Sequence, residues 1–311
     1  MGEVVAAVDV GGTRVKAALV DQHGVEVESR TVPTVAGASR EGVLVGQLGD
    51  LVRDLCATAK EPVELRACGV VVPGLVDGAA GVARWSANLG WRDLPVAEPL
   101  SEVLGLPVVL GHDVRAGLVA EVRWGAATGA RNVLFLPVGT GIAGALMLDG
   151  RVVHADGWAG ELGHVVVEPG GPRCGCGARG CLEAVASAAA VERAYAAQSA
   201  PGATGRVVVP ERMGADQVAA LVDAGDEVAT QVWSVAVEAL ARAIAITVTL
   251  TGVERVLVGG GLGQSGETLL GPLRTSVASQ LTFQRMPTIE RARLGERAGC
   301  LGAAALAWDL S

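Results

Sequence analysis

Residues 3–30, EVVAAVDVGGTRVKAALVDQHGVEVESR, decide the fold. An apolar run, a glycine turn at Gly11-Gly12, an alternating run, a His23-Gly24 turn and a second alternating run read as three strands of a meander. Side chains alternate across a strand, and glycine punctuates its turns. Residues 132–153, NVLFLPVGTGIAGALMLDGRVV, repeat the arrangement of strand, glycine turn, strand and Asp-Gly turn. A repeated unit inside one chain implies two similar halves.

Outward from these segments, strands and helices alternate, which gives an α/β class. Residues 43–59 carry apolar side chains at helical spacing, and residues 66–72 form a short apolar strand ending at Pro73-Gly74. Residues 94–104 read as helix, and 106–110 as a strand that delivers the dipeptide His112-Asp113. Helical patterns return at 184–197 and 228–250, and a strand at 255–258 runs into Gly259-Gly260-Gly261. Residues 199–215 contain Pro, Gly and Thr without a period and read as a mobile loop.

Composition narrows the function. The 311 residues carry a net charge of -8 and no long Lys/Arg run, so the footprint of a nucleic-acid binder is missing. The start, MGEVVAAVDVGG, has an early acid where an export signal has a basic segment. The most apolar helical stretch, 232–250, is interrupted by Glu238 and Arg242, so it is expected to be a buried helix rather than a membrane span. Neither nucleic acid nor membrane is an expected partner, and the expected location is the cytoplasm.

Three glycine-rich turns follow apolar strands: Asp9-Val-Gly11-Gly12-Thr13-Arg14, Gly139-Thr140-Gly141-Ile-Ala-Gly144 and the run from Gly259 to Gly266. Glycine lets backbone N–H groups approach phosphate oxygens, so three such loops point to a nucleotide. A dinucleotide fingerprint must open a helix, whereas Gly144 is followed by Ala-Leu-Met-Leu-Asp-Gly, a strand and a hairpin turn. No Walker A string occurs. Asp9, a carboxylate at a strand end beside those N–H groups, is suited to hold Mg²⁺ through water. In this order and spacing the turns resemble the phosphate and adenosine loops of the actin-like ATPases, which include sugar kinases. That resemblance implies two lobes closing over ATP.

The most specific string is Cys174-Gly-Cys176-Gly-Ala-Arg-Gly-Cys181-Leu-Glu183, preceded by Gly160-Glu161-Leu-Gly-His164. Three thiolates and an imidazole suit tetrahedral Zn²⁺, and four protein ligands make that zinc structural rather than water-activating. Cys56, Cys68 and Cys300 sit in apolar contexts and read as reduced core residues.

Together the two strings resemble the ROK family (repressors, open reading frames and kinases), over nearly the whole chain. The resemblance implies a two-lobed actin-like (ribonuclease H-like) α/β fold with nucleotide and sugar in the cleft between lobes. It places a small lobe at 1–112, completed by a C-terminal helix at about 297–311, and a large lobe at 113–296 bearing the zinc loop. It implies that His164, Cys174, Cys176 and Cys181 bind zinc. Gly74, Asn88, His112, Asp113, Glu161, His164 and Glu183 are then expected at the sugar, with Asp113 as catalytic base. Asp9, Gly11, Gly12, Thr13, Arg14, Gly139, Thr140, Gly141, Gly260 and Gly261 are expected at Mg·ATP. The family also implies a homodimer or homotetramer.

Two positions depart from the family pattern: His112 stands where Asn is usual, and Arg14 where Lys is usual. The first bears on substrate, because a rigid imidazole reaches differently from an amide. The leading expectation is therefore an ATP-dependent hexose 6-kinase acting on glucose, with a kinase for N-acetylglucosamine, N-acetylmannosamine or kanosamine as the rival. A sugar-responsive regulator of the same family would carry a preceding winged-helix segment, whereas the first strand here begins at about Val4. A catalytically dead sugar-binding module is disfavoured by the intact Asp9, Asp113 and glycine turns.

Overall fold

The computed structural model describes residues 2–40, 42–86, 89–199 and 213–311. The chain divides into two compact units: residues 1–129 with 154–159 and 296–311, and residues 130–153 with 160–295.

The first unit is built from β1 (Gly2–Val10), β2 (Arg14–Val20), β3 (Glu26–Pro33), α1 (Val43–Thr58), β4 (Val63–Val72), β5 (Leu75–Asp77), β6 (Val82–Ser86), β7 (Trp91–Pro95), α2 (Ala97–Leu104), β8 (Val108–His112) and α3 (Asp113–Trp124). Its main sheet has the order β3-β2-β1-β4-β8. The β1–β2 and β2–β3 pairs are antiparallel, and the β1–β4 and β4–β8 pairs are parallel. Val4, Ala6, Val8 and Val10 alternate along β1 and share one core with Leu44, Leu48, Leu51 and Leu55 of α1.

The second unit contains β9 (Val133–Pro137), β10 (Ala145–Leu148), β11 (Arg151–Val152), α4 (Leu182–Ala186), α5 (Ala188–Gln198), α6 (Ala215–Asp223), α7 (Glu227–Thr251), β12 (Arg255–Gly259), α8 (Gly260–Gly263), α9 (Glu267–Gln280) and β13 (Thr288–Arg291). Its sheet order, β11-β10-β9-β12-β13, reproduces that of the first unit, again with two antiparallel and two parallel pairs. The repeat visible at 3–30 and 132–153 therefore extends to five strands in each half. Helix α7 is long and apolar enough to cross a membrane by composition, yet 67% of its apolar window is buried, against α4, α5, α6 and α9. It occupies the place of a core helix.

The last helix, α10 (Ala298–Trp308), belongs to the first unit. It packs on the sheet face opposite α1 through small side chains, and Gly69 of β4 lies against the Ala303 backbone so closely that a Cβ there would collide with its carbonyl. Gly302 permits the same approach to Ala116 of α3. This packing places α3 in the first unit, so the division falls after Gly129, whereas the sequence reading put a lobe boundary at 112/113.

Local differences from the sequence reading have local causes. Residues 94–95 close strand β7, and the helix starts only at Ala97. The pattern at 184–197 is two helices, because Ser187 ends α4 and its hydroxyl accepts from Ala190 N–H at 3.1 Å to cap α5. Of the loop expected at 199–215, residues 200–212 lie outside the described residues, and Ala215 already begins α6.

Candidate active site and metal centre

In the first unit, Asp9 is the penultimate residue of β1, opposite Lys16 of β2. The turn between them is closed by Gly11 N–H donating to Arg14 O at 2.8 Å and braced by Thr34, whose hydroxyl donates to Gly11 O at 2.7 Å. Gly12, Thr13 and Arg14 thus lie on an ordered turn. Burial raises the Asp9 carboxyl above its usual range, and Lys16 opposes that rise. Gly299 leaves room for it: a Cβ there would sit 2.5 Å from Asp9 Oδ2. Lys16, which also pairs with Glu296 at 3.3 Å, was not singled out in the sequence, although its register opposite Asp9 in the meander could have found it.

Asp113 opens α3 at the end of β8. Burial, reinforced by the negative charge of Asp9, pushes its carboxyl up to about 7. Asp9 and Asp113 are thus two half-buried acids that each resist ionisation.

His112 is the N-cap of α3. Its Nδ1 accepts from Val114 N–H at 3.2 Å and from Arg115 N–H at 3.5 Å. Burial, then the charge of Arg115, hold the imidazole down to about 3, so it is neutral. The approach of Nδ1 to Asp113 Oδ1 at 3.2 Å is accordingly no ion pair; both atoms accept from Val114 N–H. Since Nδ1 is committed to the cap, this network assigns the proton to Nε2, which is left as a pure donor. Gly74, at φ 99°, lies against Trp85 and Ser86 at the start of the segment expected to bind sugar, and Asn88 of that segment lies outside the described residues.

In the second unit, two glycine turns meet. Val138 N–H donates to Gly259 O at 3.0 Å, and Leu262 N–H returns to Val138 O at 3.0 Å. Gly260, at φ 74°, lies against the Val138 backbone, with Gly261 following it in α8. The turn of Gly139, Thr140 and Gly141 is closed by Gly139 N–H donating to Gly141 O at 2.9 Å. Glu183 Oε2 accepts from Ile142 N–H at 2.9 Å, so this carboxylate ties the end of the cysteine loop to that turn.

The cysteine cluster sits on a tight hairpin: Cys174 N–H donates to Ala178 O at 2.8 Å, and Gly177 supplies the left-handed corner at φ 96°. His164 Nδ1 and the sulfurs of Cys174, Cys176 and Cys181 all lie within 4.8 Å of one another. Cys174 Sγ is 3.7 Å from His164 Nδ1, and Cys176 Sγ is 3.7 Å from Cys181 Sγ. Thiolates ~2.3 Å from a tetrahedral zinc stand ~3.8 Å apart, so the cage fits that ion. Burial and the neighbouring sulfurs push the Cys181 thiol up to about 12. His164 Nε2 faces away from the sulfurs and lies 3.8 Å from Glu161 Oε2.

The comparisons with known proteins decide what this arrangement belongs to. A ROK family model matches residues 5–309. The chain belongs to the ROK family. This ROK protein is similar to a glucokinase from Thermotoga maritima, 34% identical over 307 residues, covering 96% of this chain and 95% of the relative. It is also similar to an N-acetylmannosamine kinase from Citrobacter koseri, 33% identical over 306 residues, covering 97% of both. Among solved structures it matches a ROK family glucokinase from Streptomyces griseus in complex with glucose and AMPPNP. That match has a TM-score of 0.78 and 28% identity, and covers 98% of this chain and 99% of that one. The fold is that of the actin-like ATPases, as expected from the order and spacing of the three glycine turns.

Proposed function

We propose that this ROK protein is an ATP-dependent hexose kinase that phosphorylates the 6-hydroxyl, with glucose as its leading substrate. The observation that carries the reading is Asp113, a carboxylate raised to about 7 at the start of α3, which is poised to take a proton near neutral pH. In the proposed reaction Asp113 accepts the proton of the 6-hydroxyl as that oxygen attacks the γ-phosphorus. The bond to the bridging oxygen breaks, and ADP leaves. Mg²⁺, held by Asp9 through water, would neutralise charge on the phosphates. The N–H groups of the turns at Gly11–Thr13 and Gly139–Gly141 would cradle phosphate oxygens, with Gly260 and Gly261 at the adenosine. Gly74, Asn88, Glu161, His164 and Glu183 would be the residues that receive the sugar. Zinc on His164, Cys174, Cys176 and Cys181 would be structural and would hold that loop. The similarity to a glucokinase and to a glucokinase complexed with glucose and AMPPNP supports sugar and donor alike.

A second reading, an N-acetylated amino sugar, is favoured by His112. A neutral imidazole that can only donate suits a hydroxyl or an acetamido carbonyl, and offers nothing to the ammonium of kanosamine. The similarity to an N-acetylmannosamine kinase agrees with it. ADP release from the purified protein with ATP and glucose, N-acetylglucosamine, N-acetylmannosamine or kanosamine separates the readings. A kcat/KM for glucose far below that for an N-acetyl sugar would overturn the glucokinase assignment. A cytoplasmic homodimer or homotetramer completes the proposal, supported by six free cysteines and by the exposed apolar side chains of Leu250 and Phe283.

A further inference from the structure

Residues 154–159 leave the second unit's stretch of sequence, join the first unit, and return at Gly160. Their backbone is strained. Ala155 (φ 44°) and Asp156 (φ 52°) are consecutive non-glycine residues in the left-handed region, followed by Gly157 at φ 92° and Gly160 at φ 104°. Such residues persist only where their surroundings over-determine them. Three bonds are internal: Gly157 N–H and Ala159 N–H both donate to His154 O, and Trp158 N–H to Ala155 O. The segment also rests on β5, where a Cβ on Gly157 would meet Val76 O at 3.1 Å. The remaining anchor is Arg115. It is 5% exposed, and its Nη1 donates to Gly157 O and to Ala159 O, each at 3.2 Å. Bonds from a buried guanidinium are the strong kind.

We infer that Arg115 is a positioning residue, which latches residues 154–159 and thereby sets Glu161 for the sugar. The inference rests on the sugar-kinase reading above. Glu161 lies two residues beyond Ala159, a reach of at most ~7 Å, so the carbonyl that Arg115 holds fixes where the chain starts toward Glu161. Beyond it, the Glu161 carbonyl accepts from His164 N–H at 3.0 Å. Arg115 also stands in the first turn of α3 beside Asp113, whose other charged or titratable neighbours are Asp9 and the neutral His112; its positive charge lowers the Asp113 carboxyl against burial and Asp9.

The test uses the full-length, zinc-loaded protein with glucose and ATP, as wild type, Arg115→Met and Arg115→Lys. Arg115→Met should raise the sugar KM about tenfold, leave the ATP KM and zinc content unchanged, and speed amide hydrogen exchange at 155–161. It should also move the acid limb of kcat/KM to higher pH, which loosening of the segment alone would not do. Arg115→Lys keeps the charge but its side chain is one bond shorter and falls short of the two carbonyls, so its acid limb should stay while its sugar KM rises. If Arg115→Met does not fold, the lysine variant decides through sugar KM and exchange. A wild-type sugar KM with unchanged exchange at 155–161 overturns the inference, as does an equal loss toward both substrates accompanied by loss of zinc. A wild type that phosphorylates no sugar overturns the kinase reading instead, and the exchange data then decide the latch alone.

Discussion

Replacing Asp113 with Asn should abolish turnover and at the same time stabilise the fold above pH 7. Burial, aided by Asp9, raises this carboxyl from 3.8 to about 7. The folded chain therefore binds the proton more tightly than the unfolded chain, so stability is greatest below 3.8 and is lost as pH rises through 7. At pH 8 an ionised Asp113 opposes folding. The full span corresponds to about 4 kcal/mol. Its side chain is 32% exposed, however, and solvent screening reduces the effect to about 1–2 kcal/mol. Asn removes the charge and can still accept from Val114 N–H, which bonds the native carboxylate at 2.7 Å. The melting temperature at pH 8 should rise by about 2–8 °C, and the gap should close near pH 4. Circular dichroism melts at the two pH values, run beside ADP release, measure both effects. A variant that melts lower than wild type at pH 8, or whose advantage ignores pH, refutes the argument from burial. Full turnover refutes the role of base. The same pKa puts the acid limb of kcat/KM near neutrality, so wild type at pH 6 should keep about a tenth of its plateau rate.

Further outcomes follow from other parts of the site. Metal analysis should find about one Zn²⁺ per chain, and Cys176→Ser should lose it and raise the sugar KM; unchanged sugar affinity without metal would sever the zinc loop from the sugar. His112→Asn retains an acceptor for the Val114 and Arg115 N–H groups, so its melting temperature should stay within about 2 °C of wild type. Its preference between glucose and N-acetylated sugars should shift toward glucose, and an unmoved ratio of kcat/KM values would remove His112 from the specificity argument. Gly69→Ala would force a methyl into the Ala303 backbone and should destabilise the first unit by about 3 kcal/mol in urea titration, with no loss expected from Gly46→Ala on the exposed face of α1.

What could be read before folding was whatever is chemically local. The meanders at 3–30 and 132–153 are legible because period and turn residues act over a few positions, as Asp149 (φ 51°) and Gly150 (φ 79°) do at the second hairpin. The small sheet of β5, β6 and β7 was missed because its strands of 3–5 residues carry too short an alternation to register.

The sequence by itself determined the Cys3His cluster, since Cys174, Cys176 and Cys181 occupy one short glycine-rich loop and His164 lies ten residues before it. It also determined the paired meanders and the family they belong to. Only the tertiary structure decided how the acids behave and what holds the pocket. The shift of Asp113 needs the burial of α3 and the charge of Asp9, 104 positions away in the chain. The tautomer of His112 needs the helix that it caps, and the hold of Arg115 on Gly157 and Ala159 spans 42 and 44 residues. Such contacts exist only once the chain has closed loops of that length, and no local pattern encodes them.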